Sequence, residues 1–74
     1  MKHLKKLRTM VGRGQFWLAD ATGIERSRIS LLENCHVQPT ADEKAAIDKA
    51  LIAAMRENLA EFRKLSGTEV RAAA

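Results

Sequence analysis

No glycine or proline interrupts the chain between Pro39 and Gly67. Apolar residues recur in this stretch at the spacing of one helical face, at Ile47, Leu51, Met55, Leu59 and Phe62. It begins with Thr40-Ala41-Asp42-Glu43, in which the Thr40 hydroxyl can accept from a backbone N–H while Glu43 reaches back, as in a capping box. The pattern predicts one helix from Ala41 of up to about 25 residues, roughly 38 Å long.

Three shorter helices are predicted before Pro39. Glycines at Gly12, Gly14 and Gly23 separate apolar-periodic segments and suit helix ends. The predicted helices cover Lys2–Val11, Gln15–Thr22, which buries Leu18 and Ala19, and Arg26–Asn34, which buries Ile29 and Leu32. The sequence therefore predicts an all-α fold, a small helical bundle with a long C-terminal helix. Residues 1–66 form its one domain, in which Ile47, Leu51 and Met55 cover the first three helices, and residues 67–74 form a flexible tail.

The small size of the chain limits how it can be stabilised. A domain of 74 residues needs disulfides, a metal, self-association or efficient helix packing. Cys35 is the only cysteine, and only His3 and His36 accompany it, so an internal disulfide is excluded and a metal site is not favoured. We therefore expect self-association and no cofactor.

The sequence also predicts where the protein is located. It has a free thiol, no membrane-spanning run and no signal peptide, which together predict a cytoplasmic protein.

The positive charge is concentrated in the first half of the chain. Residues 1–38 contain seven Lys or Arg against three Asp or Glu, and residues 39–74 contain six of each. The whole net charge of +4 therefore belongs to the first half. Such segregation favours a polyanion as the partner of the N-terminal half.

The second and third predicted helices, joined by a glycine turn, match a helix-turn-helix unit. In such a unit the second helix stands out and can enter the DNA major groove. With Ile29 and Leu32 turned inward, the outer face of this helix carries Ser27, Arg28, Leu31 and Asn34, with Arg26 at its leading end. Arg, Ser and Asn are side chains that read base edges or bind phosphates.

The segment Gln15-Phe16-Trp17-Leu18-Ala19-Asp20-Ala21-Thr22-Gly23-Ile24, followed by Arg26-Ser27-Arg28-Ile29-Ser30-Leu31-Leu32-Glu33-Asn34, resembles the lambda-repressor-like (Cro/phage-repressor, XRE) helix-turn-helix family. The resemblance covers about residues 4–55. It implies a bundle of about five helices that binds operator DNA, usually as a dimer. By position it implies phosphate contacts for Gln15 and Asn34, base readout by Arg26, Ser27 and Arg28, a groove-facing Leu31, and a structural ion pair between Arg8 and Glu33. From their places in the chain, Arg13 and His36 are expected to flank the phosphates.

The chain departs from the family pattern at several positions. Gly14 precedes Gln15 where Ser or Thr is usual, and Glu25 replaces the usual cap of the third helix. Phe16-Trp17 replaces two polar residues, and Cys35 stands where a glycine normally ends that helix. The glycine that separates the last two helices in the family is missing.

The far end of the last helix is predicted to hold a homodimer together. Leu59, Phe62 and Leu65 lie up to about 15 Å beyond the part that can cover the first three helices. Pairing them with a second copy would bury them and set two reading helices about 34 Å apart, one turn of DNA. The alternative is a helix that breaks near Arg56-Glu57-Asn58 and folds back over its own core.

Two functions remain open from the sequence. The first is a sequence-specific transcriptional regulator, a repressor that occupies a palindromic operator in double-stranded DNA, of phage, mobile-element or toxin–antitoxin type. The second is a protein-interaction module that docks a partner through Phe16, Trp17 and Leu31. No catalytic triad, phosphate-binding loop or metal cluster is visible, so an enzyme is not expected. No effector domain fits in 74 residues, so no small-molecule effector is expected.

Overall fold

Residues 1–67, which the computed structural model of this protein describes, form four helices and no strand. The helices are α1 (Leu4–Met10), α2 (Gln15–Thr22), α3 (Arg26–Glu33) and α4 (Ala41–Ser66). The predicted all-α class with a long last helix is confirmed. The resemblance implied about five helices, whereas the described residues form four, because nothing interrupts α4. The predicted tail lies outside the described residues, apart from Gly67.

A Schellman turn ends α3 even though the family's glycine is replaced. Cys35 occupies the left-handed region at φ 59°, which the turn requires. Its N–H donates to the Leu32 carbonyl at 3.2 Å, and the His36 N–H donates to the Leu31 carbonyl at 2.9 Å, as the motif specifies. α1 ends in the same way at Gly12, with φ 70°. The replacement therefore keeps the turn, at a backbone cost of about 1 kcal/mol.

The core lies where α4 crosses the three short helices. Its buried residues are Leu4, Val11, Leu18, Ile29, Leu32, Ile47, Ala50, Leu51 and Ala54. Of the three residues predicted to cover the first three helices, Ile47 and Leu51 are buried, whereas Met55 is 54% exposed because Ala54 takes the inward position at that level. Ala19, also predicted to be buried, is only half-buried.

The predicted capping box begins α4. The Thr40 hydroxyl accepts from the Glu43 N–H at 3.1 Å, and the Thr40 N–H donates to the Glu43 carboxylate at 2.9 Å. From there α4 runs unbroken to Ser66. The alternative of a break near residues 56–58 is therefore wrong. Instead, the Asn58 amide donates to the Val11 carbonyl at 2.9 Å and ties α4 to the end of α1.

Beyond Asn58, α4 projects past the rest of the fold. Leu59 to Ser66 are all exposed, and α4 accounts for the long dimension of the molecule, 42 Å against 23 Å and 18 Å. Among the helices of residues 1–67, none has the length and apolar character that a membrane span requires.

Candidate nucleic-acid interface

The outer face of α3 presents a continuous set of mostly polar side chains. Ile29 and Leu32 are fully buried, which fixes the rotation of the helix about its axis. At about 100° per residue, the exposed arc then contains Arg26, Ser27, Ser30, Leu31 and Asn34, of which only Ser30 is partly covered. Ser30 was not among the predicted site residues. Its spacing could have revealed it, because it lies four residues from both Arg26 and Asn34.

Arg26 opens this face and rests on an aromatic ring. Its guanidinium carbon lies 4.8 Å from the centroid of the Phe16 ring, and Phe16 is 75% exposed. Such stacking steers the side chain without using its N–H groups. Within residues 1–67 the guanidinium forms no hydrogen bond or ion pair, so its donors stay free at the surface.

Arg28, predicted to read a base, is instead held by α4. Its Nε and Nη2 donate to the two oxygens of Glu43 at 3.0 Å and 2.9 Å, and Nη2 also lies 3.4 Å from the Gln38 carbonyl. The hydrogen bond from Arg28, followed by the one from the Thr40 backbone, lowers the pKa of Glu43 from 4.5 to about 2. In return, the hydrogen bond to Glu43 raises the pKa of Arg28. Arg28 therefore joins the margin of α3 to the beginning of α4.

Arg8 and Glu33, expected to pair, form a shielded cluster behind α3. The Arg8 Nε–Glu33 Oε2 distance is 2.8 Å, a second N–H donates to Oε1 at 3.2 Å, and the side chains are only 13% and 4% exposed. Gln15, predicted to bind a phosphate, donates to the same carboxylate at 3.0 Å. Burial by itself raises the pKa of Glu33, but the hydrogen bonds from Arg8 and Gln15 and the charges of Arg8 and Lys5 outweigh it and lower the pKa.

Arg13, predicted to flank the phosphates, ties the turn after α1 to α4. Its Nη2 pairs with the Glu57 carboxylate at 2.9 Å. Its guanidinium carbon lies 5.2 Å from the ring centroid of Trp17, which is half-buried and packs on the core. The buried Nε of Arg13 has no hydrogen-bond partner. These contacts leave Arg13 only partly exposed.

The last two predicted phosphate contacts lie at the C-terminal end of α3. The Asn34 amide donates to the Ser30 carbonyl at 2.9 Å, and its side chain stays exposed. His36 is exposed in the loop that follows the Cys35 turn. The structure thus groups Arg26, Ser27, Leu31 and Asn34 on one open face, and it places Arg13, Gln15 and Arg28 in contacts within the protein.

The exposed positive charge of the first half is carried by the start of the chain and by Arg26. Lys2, Lys5 and Lys6 are exposed, and within residues 1–67 none of them forms an ion pair. By contrast, Arg8, Arg13 and Arg28 are each matched with a carboxylate. In the described part of the chain, no three His, Cys, Asp or Glu side chains are grouped to hold a metal ion.

Comparisons of this chain with protein-family models, with curated proteins and with solved structures give no match.

Proposed function

We propose that this protein is a sequence-specific DNA-binding regulator that represses transcription by occupying a palindromic operator as a homodimer. In this proposal α2 and α3 act as a helix-turn-helix, and α3 enters the major groove. The observation that carries it is the open face of α3. Arg26 on this face forms no ion pair, whereas Arg28 and Arg13 nearby are paired with carboxylates of α4. The resemblance of residues 4–55 to repressors of this type supports the same assignment.

The side chains on this face match the chemistry of base edges. Arg26 can donate two parallel hydrogen bonds to guanine, the commonest specific contact in the major groove. Ser27 and Ser30 can donate to or accept from several bases, and Leu31 can pack on a thymine methyl group. Asn34, at the end of the helix, is placed to bind a phosphate. Stacking on Phe16 orients Arg26 in advance and so lowers the entropy lost on binding.

The held residues are assigned to positioning. Glu43 accepts from the Nε and Nη2 groups of Arg28, so we assign this residue mainly to fixing α3 against α4, with the N–H groups of Nη1 left for DNA. Gln15 keeps a second amide N–H beside the one that Glu33 accepts, and that second N–H is assigned to a phosphate. Arg13 and His36 are assigned to the rim of the interface.

The exposed end of α4 supports the proposed homodimer. Leu59 and Phe62 are exposed there on one side of the helix, and burying such side chains contributes about 1.5–3 kcal/mol each. A two-fold pair presents two copies of α3, which suits an operator with two half-sites. A cytoplasmic location, where a repressor acts, belongs to the same proposal.

The test is selection of bound DNA from a pool of random-sequence duplexes. We expect an inverted repeat to be enriched, with half-sites about 10 base pairs apart. The affinity for the selected site should fall with salt, with a log–log slope of about −3 or steeper. If no sequence is enriched and binding of DNA is absent, the regulator is excluded and an interaction module acting through Phe16, Trp17 and Leu31 takes its place.

A further inference from the structure

An apolar groove lies between α1 and α4, on the side of α4 away from α2. It has a volume of about 220 Å³ and is lined by Leu7, Met10, Val11, Leu51, Ile52, Met55 and Asp48. Asp48 is the one charged residue that lines it, and its carboxylate pairs with Lys44, with an Nζ–Oδ2 distance of 2.9 Å. A cavity of about 150 Å³ already accommodates benzene, so the groove is large enough for one phenyl ring.

The same side of α4 carries side chains that can fill such a groove. At about 100° per residue, Ile52, Met55, Leu59 and Phe62 fall within an arc of about 80°. Leu65 lies about 60° outside this arc. Phe62 follows Ile52 by ten residues, or about 15 Å along the axis. The groove and Phe62 therefore lie on one face, too far apart to meet within one chain.

We propose that the α1–α4 groove receives Phe62 of a second copy of this chain, with the two α4 helices antiparallel. The inference rests on the homodimer of the proposed function and specifies how it forms. A two-fold axis that crosses α4 at the level of residue 57 places Phe62 opposite Ile52 of the second copy and Leu59 opposite its Met55. One rotation fills both grooves at once, as an isologous interface requires. Glu57 itself points away from this face and pairs with Arg13, so the two carboxylates do not meet at the axis.

The exposed apolar area is suited to such a dimer. Leu7, Met10, Ile52, Met55, Leu59 and Phe62 are each 40–65% exposed. Taking about 200 Å² for a fully exposed side chain of this size, they offer on the order of 600 Å² per copy. A stable interface buries about 800 Å² per partner, so these six side chains supply most of it. The largest apolar patch of a typical monomer is about 300–600 Å², which places this face at the upper end.

The first test is disulfide cross-linking in a Cys35→Ser background, which removes the exposed native thiol. One protein carries Ile52→Cys and another carries Phe62→Cys. Under mild oxidation we expect a covalent dimer when the two are mixed and much less from either alone, because the proposed pairing joins position 52 to position 62. A pair within one chain is excluded because each of the two proteins then contains a single cysteine. The control mixture is Ile52→Cys with Leu65→Cys, which should cross-link poorly.

The second test is sedimentation of variants that alter each side of the contact. Phe62→Ala and Met10→Glu should each weaken dimerisation at least 100-fold, whereas Leu65→Ala should change it less than threefold. If Met10→Glu has no effect and the two mixtures cross-link equally, the groove is not the binding site of Phe62 and the inference fails. A dimer held by α4 would still be compatible with that result. A wild-type chain that stays monomeric overturns both the inference and the proposed homodimer. Selection of single half-sites by such a monomer would still support DNA binding.

Discussion

The first three helices and the free end of α4 differ in what they leave exposed. In residues 1–38, Arg8, Arg13 and Arg28 are matched by carboxylates, and on the outer face of α3 the open side chains are mostly polar or cationic, such as Arg26, Ser27 and Asn34. From Leu59 onward, α4 instead exposes leucines and a phenylalanine among charges of both signs. The first surface suits a polyanion and the second suits an apolar partner. The two proposed activities therefore occupy separate faces: DNA binding is assigned to the outer face of α3, and dimerisation to the free end of α4 and the groove between α1 and α4.

Three contacts couple these regions to each other. Arg28 pairs with Glu43, Arg13 pairs with Glu57, and Asn58 donates to the Val11 carbonyl. They hold α4 against the three short helices from its first turn to its middle. A dimer formed through α4 would therefore also fix the separation of the two α3 helices. The predictions below test this division, beginning with the largest expected effect.

The N-terminal region should depend on the shielded cluster behind α3. Arg8→Ala leaves the Glu33 carboxylate, which is 4% exposed, without its cationic partner. Breaking a buried pair in this way costs about 3–5 kcal/mol, measured as the free energy of unfolding in urea. Lys6→Ala, at an exposed position of α1, is the control and should change stability by less than about 0.5 kcal/mol. A loss below about 1 kcal/mol for Arg8→Ala would show that the cluster does not hold α1 to α3.

The backbone strain at the end of α3 should be removable. Cys35→Gly relieves the left-handed conformation at φ 59° and should raise the free energy of unfolding by about 0.5–1 kcal/mol. Cys35→Ser keeps a side chain at this position and should change stability little, which separates strain from the loss of the thiol. Equal stabilisation by both variants would contradict the role assigned to the backbone.

The smallest expected effect is the pH dependence of the contact between α3 and α4. The pKa of Glu43 is lowered from 4.5 to about 2, so its stabilising contribution is complete above about pH 4.5 and is lost as the pH falls toward 2. The difference in unfolding free energy between the wild type and Glu43→Gln should therefore be constant near pH 6 and shrink below pH 4.5. Glu33, whose pKa is also lowered, titrates in both proteins and cancels. A difference independent of pH would contradict the assigned contact.

Local patterns predicted much of this fold. The Thr40–Glu43 capping box and the glycine turns could be read from the sequence because the interactions that form them lie within a few residues. The Arg8–Glu33 pair came from the resemblance, since nothing local joins positions 25 residues apart. Met55 was misplaced because apolar spacing alone could not show that Ala54 faces the crossing point of the helices.

The state of the two arginines on α3 could not be predicted from the sequence. Arg26 and Arg28 look alike in a linear pattern. Their environments differ because Glu43 reaches Arg28 from another helix, while Phe16 lies under Arg26. Only the packing of α2 and α4 against α3 decides which guanidinium is left free. The α1–α4 groove was also not predicted from the sequence, because the residues of its two walls are distant in the chain.

The measurement that tests the central claim most directly is the affinity of Arg26→Ala for the selected site and for random DNA of equal length. If the open face of α3 reads bases, the variant should lose about 1–3 kcal/mol on the selected site, and with it most of the preference at one base pair. Its affinity for random DNA should change much less. Lys49→Ala, which removes one charge from α4, should change neither affinity appreciably. An equal loss on both DNAs for Arg26→Ala would contradict readout by α3.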